Sequence, residues 1–541
     1  MANREELAII RNARAGQAAA QLELGKLYLF GSAGLPQSLP TALHWLERAA
    51  RQECRQAWQL IGNHIPLALA RANAGSLAPW YERAYDDGSV HAGLVFAQLV
   101  LGDGSAGATA EAPMFAKALR ALEDAARAGF PDAQWLLGRR RDTAPLRPAA
   151  GPAPVSSAVA AQGWLRRAAD GGVAEARSAV LEQAWDAGHW DDYLARALPL
   201  AREVVRTAGS QDGVHRLAPG DIALLSRVAR LLDADVESGI RHGEGSDALA
   251  RHRLALAPAE PLCFWELAAA EHDRHAQLAM GLRCARMDVA GRRIVAGAGA
   301  GAANFKKAIR WLTLAGEQGL AQAWYALSRI YIKPEFSQRN VGDAQRYLER
   351  AAEMGYRDAQ LECGHNAWRA RRENESKDVA AVYWLQKALA QGSAEAAALL
   401  RKIAPRLSSP SYVETGRLLE GNDEVLRAHP LLHARLELAA LFSLSRAEAL
   451  LLDVPAADHG HCLVIDIRAS YGRSKRRLVL VDTAQERHAL DRIARLFEGI
   501  DCGPSGPEGN YRQRLYRLRT LLGAHGKGED EGDGAEIGLA A

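Results

Sequence analysis

Long apolar runs, a leader peptide and a strong net charge are all missing from this sequence. No stretch of the 541 residues approaches the ~18 consecutive apolar residues of a membrane-spanning helix, and the N-terminal segment carries charges from Arg4 onward instead of the apolar core of a signal peptide. The 67 basic and 64 acidic residues nearly cancel, at a formal net charge of +3, so charge alone predicts no general affinity for nucleic acid. We therefore expect a cytoplasmic protein with no membrane partner.

Cysteine and aromatic residues are also scarce. The six cysteines are scattered along the chain without regular pairing, which predicts reduced thiols rather than disulfides. Aromatic residues make up only 6%, whereas alanine and leucine are abundant, and this composition favours helices. No Ser-His-Asp or Cys-His arrangement can be assigned, so we predict no catalytic residue, no cofactor site and no enzyme activity.

Three short motifs contain residue types that can bind metals or phosphates, but each has a simpler explanation. Asp458–Cys462 (DHGHC) offers zinc-ligand types but leads into a strand, on which consecutive side chains point in opposite directions, so no metal site is predicted. His272 and His275 are expected to share an exposed polar helix face. Residues 297–304 (GAGAGAAN) lack the preceding strand of a dinucleotide-binding loop, and we interpret them as a connection.

Three stretches between Phe305 and Leu400 repeat one another. Three positions recur with spacings of 36 and then 37 residues, namely an aromatic residue (Trp311, Tyr347, Trp384), a glycine (Gly319, Gly355, Gly392) and an alanine (Ala323, Ala359, Ala396). A period of this length predicts a stacked helical array. In each copy an amphipathic helix ends at the glycine and a second helix follows. Because one helix pair cannot bury its own apolar face, the pairs are expected to stack into a superhelix.

The combined pattern A…WL…AA…G…A…LG resembles the Sel1-like repeat family, a relative of the tetratricopeptide repeat. A fourth good copy surrounds Trp45, and weaker copies extend the resemblance to about residues 15–190 and 260–405. The resemblance implies a non-enzymatic adaptor or scaffold that binds an unidentified protein or peptide in the solenoid groove. Plausible surface positions, on a face that the sequence does not assign as concave or convex, are Arg310, Gln318, Gln322, Arg346, Glu353, Gln360 and Gln386. The turn glycine is missing near Cys54, and residues 190–260 lose the period.

Changes in composition predict the domain organisation. The fold class expected is mostly α: a right-handed α-solenoid of helix-pair repeats, with a small α+β C-terminal segment and a disordered tail. The expected boundaries are N-terminal repeats at 1–142, a Pro/Ala-rich linker at 143–161, degenerate helical repeats at 162–260, well-formed repeats at 261–406, the α+β segment at 427–522 and the acidic, glycine-rich tail at 523–541.

The segment 427–522 lacks the 36-residue period. We predict a helix over about Leu431–Leu452 and a β-hairpin over Cys462–Asp482, whose first strand alternates apolar and polar residues up to Ile467. A second amphipathic helix follows, with Leu490, Ile493, Ala494 and Phe497 on one side. The segment is therefore expected to be a separate α+β structure.

The order helix, hairpin, helix resembles the first half of a tyrosine-recombinase (phage integrase) catalytic domain. In that family the first helix carries a catalytic arginine in a Gly-Leu-Arg-x-x-Glu pattern. Here Ser443, Leu444, Ser445 and Glu448 occupy those positions, so serine replaces the arginine. Without guanidinium groups at the scissile phosphate, the resemblance implies a catalytically dead domain.

A basic cluster on and beside the hairpin turn is the candidate nucleic-acid contact. It consists of Arg468, Arg473, Lys475, Arg476 and Arg477. Basic hairpins bind phosphates with a strong salt dependence, but exposed turns and edge strands are also commonly charged to prevent aggregation. The alternative function is therefore a nucleic-acid-associated protein of a mobile element, in which this segment contacts DNA.

Overall fold

The computed structural model is mostly helical, as predicted. It describes residues 4–32, 34–72, 74–102, 112–139, 157–210, 216–233, 259–294, 302–408, 410, 412–413 and 429–523. Over these residues it contains 26 α-helices and one two-stranded sheet, which confirms the expected fold class of helix-pair repeats with a small α+β segment. None of the helices in this part of the chain has the length and apolar character needed to cross a bilayer. The predicted tail lies almost wholly outside the described residues.

Two compact units make up the chain, and the first comprises residues 1–212 and 242–256. Its helices are α1 (Arg4–Arg14), α2 (Ala18–Phe30), α3 (Leu39–Ala50), α4 (Arg55–His64), α5 (Leu67–Ala72), α6 (Ala74–Asp86), α7 (Val90–Leu101), α8 (Ala112–Arg127), α9 (Pro131–Arg139), α10 (Ser157–Asp170), α11 (Ala174–Asp186) and α12 (Trp190–Ser210). Because α10 starts at Ser157, the predicted linker end at 161 is wrong: residues 157–161 are helical. The rest of the predicted linker, 143–156, lies outside the described residues.

The second unit comprises residues 213–241 and 257–541. Its repeat helices are α13 (Pro219–Leu232), α14 (Glu260–Ala270), α15 (Arg274–Ala285), α16 (Phe305–Glu317), α17 (Ala321–Tyr331), α18 (Val341–Glu353), α19 (Arg357–Ala370), α20 (Lys377–Ala390) and α21 (Ala394–Ile403). Helix α13 packs against α14, and Trp265 Nε1 donates a hydrogen bond to Asp233 Oδ2 at 2.9 Å. Residues 219–233 therefore join the helical stack of this unit although they lose the sequence period.

The turn between the two helices of a repeat requires a left-handed residue. Gly319, Gly355 and Gly392 adopt φ values of 87°, 90° and 81°, where a side chain is disfavoured. At the equivalent turns Glu53 (φ 57°) and His272 (φ 66°) take the same backbone region. The missing glycine near Cys54 therefore does not interrupt the repeat. The expectation that His272 lies on a helix face is wrong, because it forms the turn before α15.

Neighbouring repeats approach through glycines in their second helices. A methyl group added at Gly281 would lie 2.6 Å from Leu312 Cγ, and one at Gly364 would lie 2.7 Å from Leu385 Cγ. The pairs Gly25 with Leu46 and Gly138 with Leu165 repeat the arrangement in the first unit. In each pair the absence of a side chain at the glycine lets the buried leucine of the next repeat's first helix pack directly on the backbone of the second helix.

The C-terminal part of the second unit contains three helices of 13 residues, two short helices and a hairpin. These are α22 (Pro430–Phe442), α23 (Arg446–Leu451), α24 (Val454–Ala457), β1 (Cys462–Ile465), β2 (Arg477–Leu480), α25 (Ala484–Leu496) and α26 (Tyr511–Gly523). The strands pair antiparallel with Cys462 opposite Leu480 and Ile465 opposite Arg477, which confirms the predicted hairpin. Leu490, Ile493 and Phe497 are fully buried, as expected for the amphipathic helix α25.

The single helix predicted over Leu431–Leu452 is wrong, because the chain breaks between α22 and α23. Ser443 adopts a left-handed conformation with φ 51°, and the side chain of Ser445 then caps α23. Glu448 completes a capping box, in which its carboxylate accepts a hydrogen bond from the Ser445 backbone at 2.8 Å. A capping signal within an apolar run therefore divides one predicted helix into two.

Strand β1 is buried on both faces, contrary to the predicted alternation of apolar and polar residues. Leu463 and Ile465 pack in the core of the C-terminal helices. Cys462 and Val464 pack instead against Val382 and the other apolar residues of the last repeat. The hairpin is therefore a shared layer between the repeat array and the C-terminal helices.

Candidate docking surface

Half-buried aromatic rings recur on the first helices of the repeats. Each ring lies eight residues before the left-handed turn residue, and its face is partly open to solvent. The members of this set are Trp45, Trp80, Trp164, Trp311, Tyr347 and Trp384. The remaining signature positions are structural: Ala323, Ala359 and Ala396 are completely buried between helices, where only a small side chain fits.

A basic side chain covers several of these rings. The guanidinium of Arg48 lies 5.4 Å from the ring centre of Trp45, that of Arg83 lies 5.2 Å from Trp80, and that of Arg167 lies 4.8 Å from Trp164. Each cation is three residues after its ring, one helical turn away, so the pair forms within one helix. We call Trp45, Arg48, Trp80, Arg83, Trp164 and Arg167 the first aromatic–basic row.

The second unit has a row of the same kind. The Lys387 ammonium lies 4.7 Å from the ring centre of Tyr383 and 5.9 Å from that of Trp384. The Arg350 guanidinium lies 4.0 Å over Trp324, whose ring stacks on Tyr347 with centroids 5.6 Å apart. We call Trp324, Tyr347, Arg350, Tyr383, Trp384 and Lys387 the second aromatic–basic row. It presents two exposed cations, of which Arg350 covers the buried Trp324 and Lys387 lies over the exposed Tyr383.

Buried glutamines fix the turns beneath these rows. Gln360 is 3% exposed and donates a hydrogen bond to the Ala352 carbonyl at 3.0 Å, while Gln391 of the next repeat donates to Gln360 Oε1 at 2.8 Å. Gln318 donates in the same way to Gln277 Oε1 at 2.8 Å. The expectation that Gln360 is a surface residue is therefore wrong. These amide contacts join one repeat to the next, and the sequence period did not reveal them.

Ion pairs engage Arg468, Arg476 and Arg477, which belong to the basic cluster predicted to contact nucleic acid. Arg476 binds Asp378 of the last repeat through two contacts of 2.9 Å. Arg477 binds Glu448 through two contacts of 2.7 Å. Arg468 reaches both Asp466 and Glu375, at 2.8 Å and 2.7 Å. The last two members of the set are exposed residues in the turn, Arg473 and Lys475.

The contacts of Arg476 and Arg468 join the hairpin to the last repeat. Gln386 adds a hydrogen bond from its Nε2 to the His461 carbonyl at 3.2 Å, and Arg406 pairs with Asp482 at 2.8 Å. These bonds connect residues 75 or more positions apart in the chain. Sequence reasoning missed them because the carboxylates lie in a different domain of the predicted organisation from the arginines.

The hairpin carboxylates make this junction sensitive to acid. Hydrogen bonds from Arg468 lower the pKa of Asp466 to about 2, and the same arginine lowers the pKa of Glu375. Because the folded-state pKa of Asp466 is depressed, its stabilisation is present above about pH 4 and is lost as the pH falls toward 2. We expect the midpoint of thermal unfolding of the wild-type chain to exceed that of Asp466→Asn at about pH 5 and to converge with it near pH 2. A difference that stays constant across this range would contradict the assignment.

The candidate metal and phosphate motifs hold no assembled site in the described residues. Asp458 accepts hydrogen bonds from Arg487 at 2.8 and 2.5 Å, and His461 Nε2 lies 3.0 Å from the Val379 carbonyl. No group of three or more metal-binding side chains occurs within the described ranges. Most of residues 297–304 lie outside the described residues.

The repeat stretches match a known family model. The model, described as Sel1 repeat, matches residues 18–54, 131–173, 291–320, 320–356 and 372–393. These five stretches are Sel1 repeats. They include the turns at Gly319 and Gly355, and they confirm the repeat type predicted from the aromatic, glycine and alanine positions.

Solved structures with similar repeats include two bacterial proteins. One is a protective antigen present in uropathogenic Escherichia coli strains and displaying an SLR fold; it is 18% identical, the alignment covers 96% of this chain and 98% of that one, and the TM-score is 0.38. The other is a Sel1 repeat protein from Oxalobacter formigenes, also 18% identical, with 74% of this chain and 90% of that chain covered and a TM-score of 0.24. No curated protein matches this sequence.

Proposed function

We propose that this chain, which carries Sel1 repeats at five stretches, is a non-enzymatic scaffold that binds a partner protein across its aromatic–basic rows. The observation that supports this most directly is the recurrence of a half-buried ring with a basic side chain over it at one repeat position. A row of this kind offers apolar area and positive charge at regular intervals. It suits a partner segment that carries carboxylates beside apolar side chains.

The stiffness of the array favours binding over catalysis. Repeats are joined by glycine-mediated helix contacts and by glutamine bonds such as Gln391 to Gln360. A rigid surface loses little conformational entropy when a partner binds, so even modest contacts at each repeat add up to useful affinity. The function proposed is therefore to hold a partner in one orientation along the helices.

A cytoplasmic location is part of the proposal. None of the six cysteines forms a disulfide, and each lies within the described residues. Burial raises the pKa of the Cys363 and Cys462 thiols to about 12, so these thiols stay protonated and unreactive at neutral pH. Unpaired, inert thiols suit a reducing compartment.

The nucleic-acid alternative receives less support from the contacts of the hairpin. Arg468, Arg476 and Arg477 pair with carboxylates, so their charges are neutralised within the protein. A phosphate backbone would have to compete with these pairs, two of which are largely shielded from water. Contact with DNA through the hairpin stays a prediction.

Site-specific photocrosslinking in the native cells tests the scaffold proposal. We expect a photoreactive phenylalanine analogue at Tyr383, which is 38% exposed in the second row, to give a discrete high-mass adduct of the full chain. Reversing the charges with Arg350→Glu and Lys387→Glu should lower the adduct yield about tenfold, because two cation contacts of about 0.7 kcal/mol each are lost. The same adduct yield in the charge-reversed variant would contradict the proposal.

Matched controls lie on the second helices of the same repeats. The analogue placed at Arg357, which is exposed at the start of α19, should give no discrete adduct. Charge reversal at Arg357 and Arg401 should leave the Tyr383 adduct unchanged, because both side chains are exposed and neither belongs to the row. An equal loss of adduct yield in this control variant would indicate a general effect of charge and would argue against a binding surface at the row.

A further inference from the structure

A cavity of about 270 Å³ lies among the C-terminal helices, away from the aromatic–basic rows. Its lining includes Leu431 and Leu432 of the first turn of α22. Glu508 and the α26 residues Arg514 and Arg517 also line it. Its volume lies just below the range of about 300–1,000 Å³ that is usual for small-molecule sites, so it suits a ligand of few heavy atoms.

The carboxylate in the wall of the cavity is already neutralised. Both oxygens of Glu508 accept hydrogen bonds from Arg435, at 2.8 and 2.6 Å. Arg435 is 1% exposed, and its Nη1 donates to the carbonyls of Ala449 and Leu452, both at 2.9 Å. The Arg435–Glu508 pair therefore contributes no net charge to the cavity.

Two positive charges remain in the cavity wall. Arg514 is 2% exposed and donates its hydrogen bonds to carbonyl groups, including that of Leu450 at 2.6 Å, while its nearest carboxylate oxygen, on Glu508, is 3.8 Å away. Burial lowers the pKa of Arg514; Glu508 opposes this effect, and the nearby Arg435 and Arg517 add to it. Carbonyl groups satisfy the N–H donors of Arg514, and Glu508 is shared between Arg514 and the closer Arg435, so two buried guanidinium charges face one carboxylate, an arrangement that is costly in a buried site.

Donors for an anion line the cavity. Arg517 donates through Nη1 to the Glu508 carbonyl at 2.7 Å, and within the described ranges it forms no ion pair. Helix α22 begins without a side-chain cap from His429, and the N–H groups of Leu431 and Leu432 in its first turn have no intrahelical acceptor. A guanidinium and first-turn amides that line one small cavity are a donor set that binds oxyanions.

We propose that this cavity binds a phosphate dianion, either free or as the monoester group of a small ligand. Two negative charges balance the two charges that Arg514 and Arg517 leave uncompensated. Phosphate oxygens accept hydrogen bonds from the guanidinium of Arg517 and from the first turn of α22, and the remaining volume accommodates a small ester group. The site is independent of the scaffold surface, because none of its lining residues belongs to either row.

Isothermal titration of the full chain with inorganic phosphate tests the proposal, with chloride at matched ionic strength as the reference. We expect saturable binding of phosphate to the wild-type chain and at least tenfold weaker binding to Arg517→Gln. Arg519→Gln is the matched control, because Arg519 is exposed on the same helix and does not line the cavity; it should bind as wild type. Equal affinity in Arg517→Gln, or no saturable binding to the wild type, would overturn the proposal.

Two further measurements identify the ligand and distinguish loss of binding from misfolding of the variant. Glycerol phosphate that binds more tightly than inorganic phosphate would assign the site to a monoester, and the reverse order would assign it to the free anion. In the wild-type chain, arginine side-chain NMR resonances should shift on addition of phosphate for Arg514 and Arg517. Shifts confined to exposed arginines such as Arg512 would reveal non-specific association and overturn the site even if the glutamine variant failed to fold.

Discussion

Replacing Arg435 with methionine is expected to destabilise the C-terminal helices by about 3–5 kcal/mol, because the change removes one partner of a buried ion pair. Four hydrogen bonds of 2.6–2.9 Å disappear together, and Glu508, which is only 6% exposed, keeps only its longer contact of 3.8 Å with Arg514. The Arg435 guanidinium also lies 4.8 Å from the ring centre of Phe497, so packing is lost as well. Hydrogen exchange of the full chain, followed on peptides from residues 430–523, measures the loss locally.

A surface ion pair of the same segment supplies the control. Arg492 pairs with Glu437 on exposed helix faces, and Arg492→Met should cost no more than about 1 kcal/mol. The double variant Arg435→Met with Glu508→Leu should recover only part of the stability, because it replaces the buried pair by apolar side chains but also removes the carboxylate that lies 3.8 Å from the buried Arg514. If Arg435→Met and Arg492→Met had equal effects, the buried pair would not be the main polar support of this core.

Adding one methyl group at Gly364 is expected to destabilise the junction between two repeats by up to about 2 kcal/mol. The new Cβ would lie 2.7 Å from Leu385 Cγ and 3.4 Å from the Ala381 carbonyl oxygen, so the helices must separate or Leu385 must leave its site. Overpacking of this kind costs about 1–3 kcal/mol, and the helix propensity of alanine returns at most about 1 kcal/mol. Hydrogen exchange of peptides from α19 and α20 measures the result.

The same substitution at Gly163 should have the opposite sign. Gly163 lies on the exposed side of α10, and a methyl group there meets no atom within 4 Å. Gly163→Ala should therefore stabilise its helix by up to about 1 kcal/mol through helix propensity alone. Destabilisation by both substitutions would indicate a backbone effect and argue against the close repeat contact at Gly364.

The repeat architecture was predictable because its determinants recur at fixed intervals. The aromatic, glycine and alanine positions are each set by one local requirement, so three copies suffice to reveal them. The non-glycine turns were not predictable: Glu53 and His272 adopt the left-handed region because the packed helices on either side impose the turn. The break at Ser443 was missed for a related reason, since apolar spacing alone does not reveal a capping box.

The contacts of the candidate sites could not be predicted, because they depend on pairs distant in sequence. Arg476 meets Asp378, and Arg435 meets Glu508, 98 and 73 residues apart. A basic cluster has the same composition whether its charges face solvent or an acidic neighbour. The sequence therefore predicted which residues carry charge near the hairpin, while their partners emerged only from the packing of β1 against the last repeat.

The shared hairpin layer has a consequence for the order of synthesis. When the ribosome has completed α20, the strand that covers its apolar face is still unmade, since Gln386 and His461 are 75 residues apart. At a translation rate of about 5–20 residues per second, synthesis of β1 follows roughly 4–15 s later, and the apolar face of α20 stays uncovered during that time. During this interval the nascent chain presents Val382 and Leu385 to the surroundings, as would a product that stops before β1. Once the C-terminal segment is complete, the apolar face of the last repeat is covered and is no longer exposed to aggregation.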